Sequence, residues 1–394
     1  MNHFDYYSPT RYIFGKDTEA EVGKLAKEAG AKKALLHFGG GSAEKSGLLS
    51  RVKASLKEAG VEAIELGGVC PNPRDNLVYE GISICRKESV DLVLCVGGGS
   101  VIDSGKAIAI GAPYDGDFWD FYEGKAEAES ALPIGVVLTI PAAGSEGSSG
   151  TVITKMEGLL KRAYGSELLR PKFSILNPVL TYTLPAYQTA CGAVDIIAHV
   201  FERYVTQTTG VDFTDRLCEA VLSTMIKNVP IALNEPENYD ARANIMWAST
   251  VAHNDMVGLG REGDWSSHQI EHELSALYDV AHGAGLAVVI PAFFKYQYKH
   301  DVARFAQLAV RVFGVDMDFQ NPERTALNGI GRLEAFFASI GMPTTFQALG
   351  AKEEDIPELT KKCQLNNGDK MGYFHPISRE EIAAIYKLAC RQSL

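Results

Sequence analysis

The chain has 394 residues, 46% hydrophobic and 22% charged, with a formal net charge of −11; this length predicts two or three domains around a sizeable buried core. The acidic balance, with no gathered basic patch, argues against nucleic acid or an anionic membrane as the main partner. Seven cysteines, scattered and never spaced CxxC, read as reduced thiols of a cytoplasmic protein and support neither a disulfide framework nor a cysteine zinc site.

The opening MNHFDYYSPTRYIFGKD has no apolar signal region, and the longest apolar run, near Leu286 to Phe294, is interrupted by Pro291; neither a signal peptide nor a membrane span is expected. From residue 18 to about 183, amphipathic segments alternate with short apolar ones, which predicts a doubly wound α/β domain. Helices are expected over residues 19–29, 48–59 and 77–88, and strands over residues 33–38, 61–66, 91–96, 134–140 and 173–176.

Two glycine clusters follow strands: Gly39, Gly40, Gly41 and Ser42 after the first, and Gly97, Gly98, Gly99 and Ser100 before a helix containing Asp103 and Lys106. Glycines let a ligand approach the backbone, and the open N–H groups of a helix start favour an anion, so the second cluster suits a pyrophosphate. The spacing is not GxGxxG, and a tight turn is the alternative for either cluster alone. A third small-residue loop runs from Thr139 to Gly150 and includes Ser145, Ser148 and Ser149; it offers donors to a nucleotide, or is a flexible connection. No carboxylate occupies the Gly39–Ser42 turn, and Lys45 follows it. A turn without an acid leaves room for the 2′-phosphate of NADPH, which a carboxylate on the adenosine ribose repels.

After Pro185 apolar residues recur at three and four, and an all-helical domain is expected. The domains are therefore set at 1–184, α/β and dinucleotide-binding, and 185–394, helical and metal-binding. The densest chemistry lies between Asp264 and Pro291, where His268, His272 and His282 fall within fifteen residues. Asp195 and His199 supply a carboxylate and an imidazole one helical turn apart. Asp195, His199, His268 and His282 together make a one-carboxylate, three-imidazole set for a divalent metal; the alternative is a hydrogen-bonded polar network.

These segments are similar to those of the iron-containing (group III) alcohol dehydrogenase family, near its butanol dehydrogenase-like, NADPH-dependent branch. The resemblance rests on GGGS at 39–42, GGGSVIDSGKAIA at 97–109, YDGDFWDFYEG at 114–124, TIPAAGSE at 139–146, DIIAHVFERY from Asp195 and GDWSSHQIEHELSALYDVAHGAGLA from Gly263. It implies a Rossmann-like N-terminal domain for the cofactor and an all-α C-terminal domain for the metal, a dehydroquinate synthase-like architecture. It maps the metal ligands onto Asp195, His199, His268 and His282, and the pyrophosphate cradle onto Gly97, Gly98, Gly99 and Ser100. Asp103 falls at the nicotinamide side, Lys161 near the nicotinamide ribose, and Thr139 and Thr183 at nucleotide-contacting positions. Ala143 stands where many relatives have Thr, and Ser148 where some have Asn.

The implied reaction is hydride exchange between a primary alcohol or aldehyde, such as butanol or butanal, and NADP(H), with one divalent metal, Fe²⁺ or Zn²⁺. His272 is the candidate for relaying the proton, with a supporting hydrogen-bond role as the alternative. A homodimer is compatible with the resemblance. Two other functions fit parts of the sequence: a nucleotide- and metal-dependent sugar-phosphate cyclase, which would want a basic pocket that the segment around His268 lacks, and a non-enzymatic metal-binding protein, which would leave the glycine and hydroxyl loops unexplained.

Overall fold

Short β-branched segments that are apolar on both sides need cover on both faces, which a parallel sheet flanked by helices provides. A computed structural model describes residues 1–391. The chain divides into two units, one of Tyr7–Leu184 and one of Met1–Tyr6 with Pro185–Leu394. The helical domain expected to reach residue 394 therefore ends in three residues that lie outside the described ones.

In the Tyr7–Leu184 unit the strands are β1 (Arg11–Phe14), β2 (Lys33–Gly39), β3 (Glu62–Val69), β4 (Leu92–Gly98), β5 (Ile134–Ile140), β6 (Gly150–Lys155), β7 (Leu160–Gly165) and β8 (Phe173–Leu176). The helices are α1 (Val22–Glu28), α2 (Ser42–Lys45), α3 (Leu48–Glu58), α4 (Asp75–Glu88), α5 (Gly99–Gly111) and α6 (Trp119–Tyr122). Six parallel strands form a sheet in the order β1-β8-β5-β4-β2-β3, and β6 and β7 form a separate antiparallel hairpin. Leu92 to Val96 of β4 are completely buried, as a central parallel strand requires.

The strand order carries a functional consequence. β2 leads outward to β3 on one side, whereas β4, paired directly with β2, leads to β5 on the other. The carboxyl ends of β2 and β4 thus flank the point where the winding reverses, the place at which open α/β sheets bind ligands. Both glycine clusters sit on those two ends. His37 ties this edge together: its Nδ1–H donates to the Leu66 carbonyl at 2.9 Å, and the Ser104 hydroxyl of α5 donates to its Nε2 at 2.9 Å. Burial drives the His37 pKa down to about 4.

The second unit holds α7 (Ala186–Tyr204), α8 (Asp212–Asn234), α9 (Tyr239–His253), α10 (Ser266–Tyr278), α11 (His282–Gln297), α12 (Val302–Arg311), α13 (Pro322–Ser339), α14 (Phe346–Leu349), α15 (Ile356–Lys362) and α16 (Arg379–Ala389). α7 and α11 are buried along most of their length and supply much of the core of the unit. Pro291, which interrupts the apolar run in the sequence, lies inside α11, and the helix continues through it. Among the described residues, no helix is long and apolar enough to cross a membrane.

Candidate functional site

α7 presents Asp195, His199 and Glu202 at helical spacing; α10 contributes His268, Glu271 and His272; His282 is the first residue of α11. A left-handed residue, Asp279, closes α10 and turns the chain so that α11 starts beside it. The carboxylate and two of the imidazoles converge. Asp195 Oδ1 lies 4.0 Å from His268 Nε2 and 3.8 Å from His282 Nε2. Single donor atoms from Asp195, His268 and His282 all fall within 4.8 Å of one another.

The chemistry of these donors matches a divalent cation. His268 Nε2 is buried and makes no hydrogen bond, and Asp195 Oδ1, also buried, has only His199 Nδ1 beside it at 3.1 Å without regular hydrogen-bond geometry; a buried polar atom left unpaired costs about 1–3 kcal/mol unless something sits against it. Burial raises the Asp195 pKa, but His199, His282 and His268 outweigh it and hold the carboxyl well below its usual range. Burial, then the neighbouring His199 and His282, keeps His268 far below 6.5, and therefore neutral. A carboxylate oxygen beside imidazole nitrogens is a donor set that Fe²⁺ and Zn²⁺ both accept.

His199 stands apart from this convergent group. Its Nδ1–H donates to the Asp195 carbonyl at 2.8 Å and lies 3.1 Å from Asp195 Oδ1, and its ring is 4.6 Å from that of His268. The carbonyl can only accept, so Nδ1 carries the proton and Nε2 keeps its lone pair. His253, which drew no functional reading, packs its ring 4.2 Å from His199 and accepts from Arg203 Nη2 at 2.8 Å. His272 is buried, with its ring 5.6 Å from His282. With Glu271 and His282 it makes a second close group of donors.

Sequence reasoning passed over two carboxylates. Glu202 Oε1 accepts from His268 Nδ1 at 2.7 Å, from the His268 backbone N–H at 3.1 Å and from the Ser267 hydroxyl. Glu271 accepts from His282 Nδ1 through one oxygen and from the Ser275 hydroxyl through the other. A histidine that binds metal through one nitrogen needs an acceptor at the other, but spacing does not reveal it here: the histidines three residues from Glu202 and Glu271 are His199 and His268, whereas the two carboxylates accept from His268 and His282. Two glycines make the packing possible. A Cβ on Gly283 would stand 2.0 Å from the Cys191 carbonyl of α7, and one on Gly285 would stand 2.4 Å from the Glu271 carboxylate.

The expected nucleotide residues all belong to the other unit. Gly40, Gly41 and Ser42 are exposed beyond β2, and Gly98 to Ser100 are half-buried where β4 runs into α5. No side chain caps the start of α5, so its N–H groups remain available to an anion. Asp103 is held by the third loop and by β6, accepting from the Ser145 hydroxyl at 2.6 Å and the Val152 N–H at 3.0 Å. Ser148 is turned inward onto the buried Lys106 ammonium, which also donates to the Ser148 and Gly150 carbonyls at 2.8 and 2.9 Å. Lys161 is buried with its Nζ 3.0 Å from Asn72 Oδ1. Thr139, the next-to-last residue of β5, is half-buried, and Thr183 is exposed.

Residues 9–178 match the family model described as iron-containing alcohol dehydrogenase, and residues 189–390 match that of the C-terminal region of the Fe-containing alcohol dehydrogenase family. The chain is 43% identical to a probable NADH-dependent butanol dehydrogenase of Bacillus subtilis, over 98% of this chain and 99% of that protein. It is 38% identical to an NADPH-dependent aldehyde reductase of Escherichia coli, over 99% of this chain and 100% of the other. A crystal structure of an NADH-dependent butanol dehydrogenase from Thermotoga maritima superposes with a TM-score of 0.96 at 40% identity, covering 99% of each chain.

Proposed function

The chain belongs to the iron-containing alcohol dehydrogenase family, and on that premise we propose that it interconverts primary alcohols and aldehydes of a few carbons, butanol and butanal among them, using a nicotinamide dinucleotide and one divalent metal. It is an oxidoreductase. The observation that carries the metal reading is the convergence of Asp195 Oδ1, His282 Nε2 and the buried, unpaired His268 Nε2 within 4.8 Å of one another. Asp195, His268 and His282 would hold the ion, and His199, with its Nε2 lone pair preserved, is the fourth donor that the family resemblance adds. Such an ion, when bound, supplies the Lewis acidity that makes an alcohol a competent hydride donor and a carbonyl a competent acceptor. Fe²⁺ is the identity the family description favours; Zn²⁺ takes the same donors.

The chain's own residues have separate tasks. Asp195 brings the one negative charge to the donor set, and its depressed pKa keeps that charge throughout the neutral range. His272, buried beside His282, is the group proposed to exchange the proton that accompanies hydride transfer. The uncapped start of α5 and the glycines around it offer N–H groups to a pyrophosphate. Asp103, braced by Ser145 and Val152, stiffens the loop after β5.

The preferred nucleotide is proposed to be NADPH. The open, acid-free turn of Gly40, Gly41 and Ser42 supports this, while the names of the relatives divide, with the butanol dehydrogenases described by NADH and the aldehyde reductase by NADPH. The activity is tested by metal analysis of the purified protein together with NADPH and NADH oxidation on an aldehyde series, in the wild type and in Asp195→Asn. One equivalent of metal and aldehyde-dependent turnover, both lost in the variant, is the expected result. Turnover that survives metal removal would overturn the proposal.

A further inference from the structure

We infer that Glu202 and Glu271 are a matched pair of positioning residues that set the tautomer and aim of the two histidines converging on Asp195, and so govern metal affinity. The inference rests on the proposed metal centre and adds to it the part that the donor residues do not supply themselves. Each carboxylate is buried, belongs to a different helix from the imidazole it holds, and meets that imidazole at Nδ1. Glu202 on α7 takes His268 Nδ1 of α10 at 2.7 Å, and Glu271 on α10 takes His282 Nδ1 of α11. A carboxylate accepts and cannot donate when ionised, so each ring is fixed with its proton on Nδ1 and its lone pair on Nε2. Those are the two nitrogens, at 4.0 and 3.8 Å, that face Asp195 Oδ1.

Further contacts make the carboxylates rigid. Each accepts from a serine on α10, Ser267 for Glu202 and Ser275 for Glu271, and Glu202 also accepts the His268 N–H at 3.1 Å. Gly285 leaves the space that the Glu271 side chain fills, since a Cβ there would stand 2.4 Å from its Oε1. The three helices are consequently interlocked, α7 to α10 through Glu202 and α10 to α11 through Glu271. Such partners keep an imidazole from rotating and raise its basicity toward a cation, and their removal typically lowers metal affinity by about 10- to 100-fold.

The test measures Zn²⁺ affinity by competition with a chromophoric chelator, and the visible bands of the Co²⁺-substituted protein, for the wild type, Asp195→Asn, Glu202→Gln, Glu271→Gln and Glu271→Leu. Unfolding curves of the metal-free proteins verify that each variant is folded. Gln keeps an acceptor for Nδ1–H but loses the charge, whereas Leu removes both. The expected order of affinity is wild type, then Gln, then Leu, with a loss of roughly 10-fold or more for each Gln variant and altered Co²⁺ bands. Should Glu271→Leu fail to fold, the two Gln variants decide the matter. Wild-type affinity and an unchanged Co²⁺ spectrum in both Gln variants, with metal lost in Asp195→Asn, would overturn the role of the two carboxylates and leave the metal centre standing. Failure of the wild type to bind metal, or unaltered affinity in Asp195→Asn, would instead remove the metal centre.

Discussion

A histidine coordinates a metal through one nitrogen, and what happens at the other decides whether it can. At His199, His268 and His282 the acceptors at Nδ1 are the Asp195 carbonyl, Glu202 and Glu271, so all three rings keep Nε2 for a ligand. His282 should be the most separable of them, because it opens its helix and is the least buried. His282→Ala is expected to lose metal and turnover while keeping the far-UV circular dichroism of the wild type, and wild-type metal content with near-wild-type turnover would take His282 out of the site. His37 shows the opposite use of the same side chain. Its pKa falls from 6.5 to about 4 on burial, so between those values the unfolded chain takes up a proton that the folded one refuses. Stability therefore falls as pH drops from 6.5 towards 4, by up to about 3 kcal/mol from this group alone, and levels off below. A His37→Met variant is expected to be less stable at pH 7.5 yet to show a flatter urea midpoint across that window; an identical slope would mean that His37 titrates normally.

Helix packing sets how closely the donors can approach. α11 begins against α7 because Gly283 has no Cβ to meet the Cys191 carbonyl. Gly283→Ala is expected to cost about 1–3 kcal/mol through forced separation and to weaken metal binding as His282 withdraws, both readable from unfolding curves with and without Zn²⁺. Unchanged curves would mean that the helix start yields easily. Much of this level is legible in the sequence. The strands β5 and β8 have the expected bounds, and the helix pairs bearing Asp195 with His199, and His268 with His272, follow from spacing alone. What periodicity missed is short or polar: β1 is four residues at the sheet edge, and the hairpin β6–β7 reads GTVITK and LKRAYG, whose Lys and Arg residues do not resemble a buried strand. Pro291, which interrupts the apolar run in the sequence, does not end a helix in the structure. A proline at mid-helix removes one hydrogen bond, but tight packing around α11 keeps the helix going. Glu202 and Glu271 could be read as charges on helices; that they are buried beside imidazoles from other helices is a tertiary fact no local pattern encodes.

Across the molecule the two chemistries are divided by unit, with every proposed nucleotide residue inside Tyr7–Leu184 and every proposed metal donor inside Pro185–Leu394. Changes in one unit should then leave binding in the other measurable. Gly40 is the position to use, because its backbone φ is not in the left-handed region and an added Cβ meets nothing within 4 Å, so Asp fits without disturbing the fold. An acid there approaches the 2′-phosphate that the turn is proposed to accept and repels it, while it offers an acceptor to the 2′-hydroxyl of NADH. Gly40→Asp is expected to lower kcat/KM with NADPH far more than with NADH, by roughly 1–3 kcal/mol in the ratio, and to leave metal content at the wild-type value. Asp195→Asn should do the reverse, losing metal while still enhancing NADPH fluorescence on binding. A cofactor ratio unmoved by Gly40→Asp would mean that the adenosine end binds away from the β2 turn, and the preference for NADPH would then need another origin.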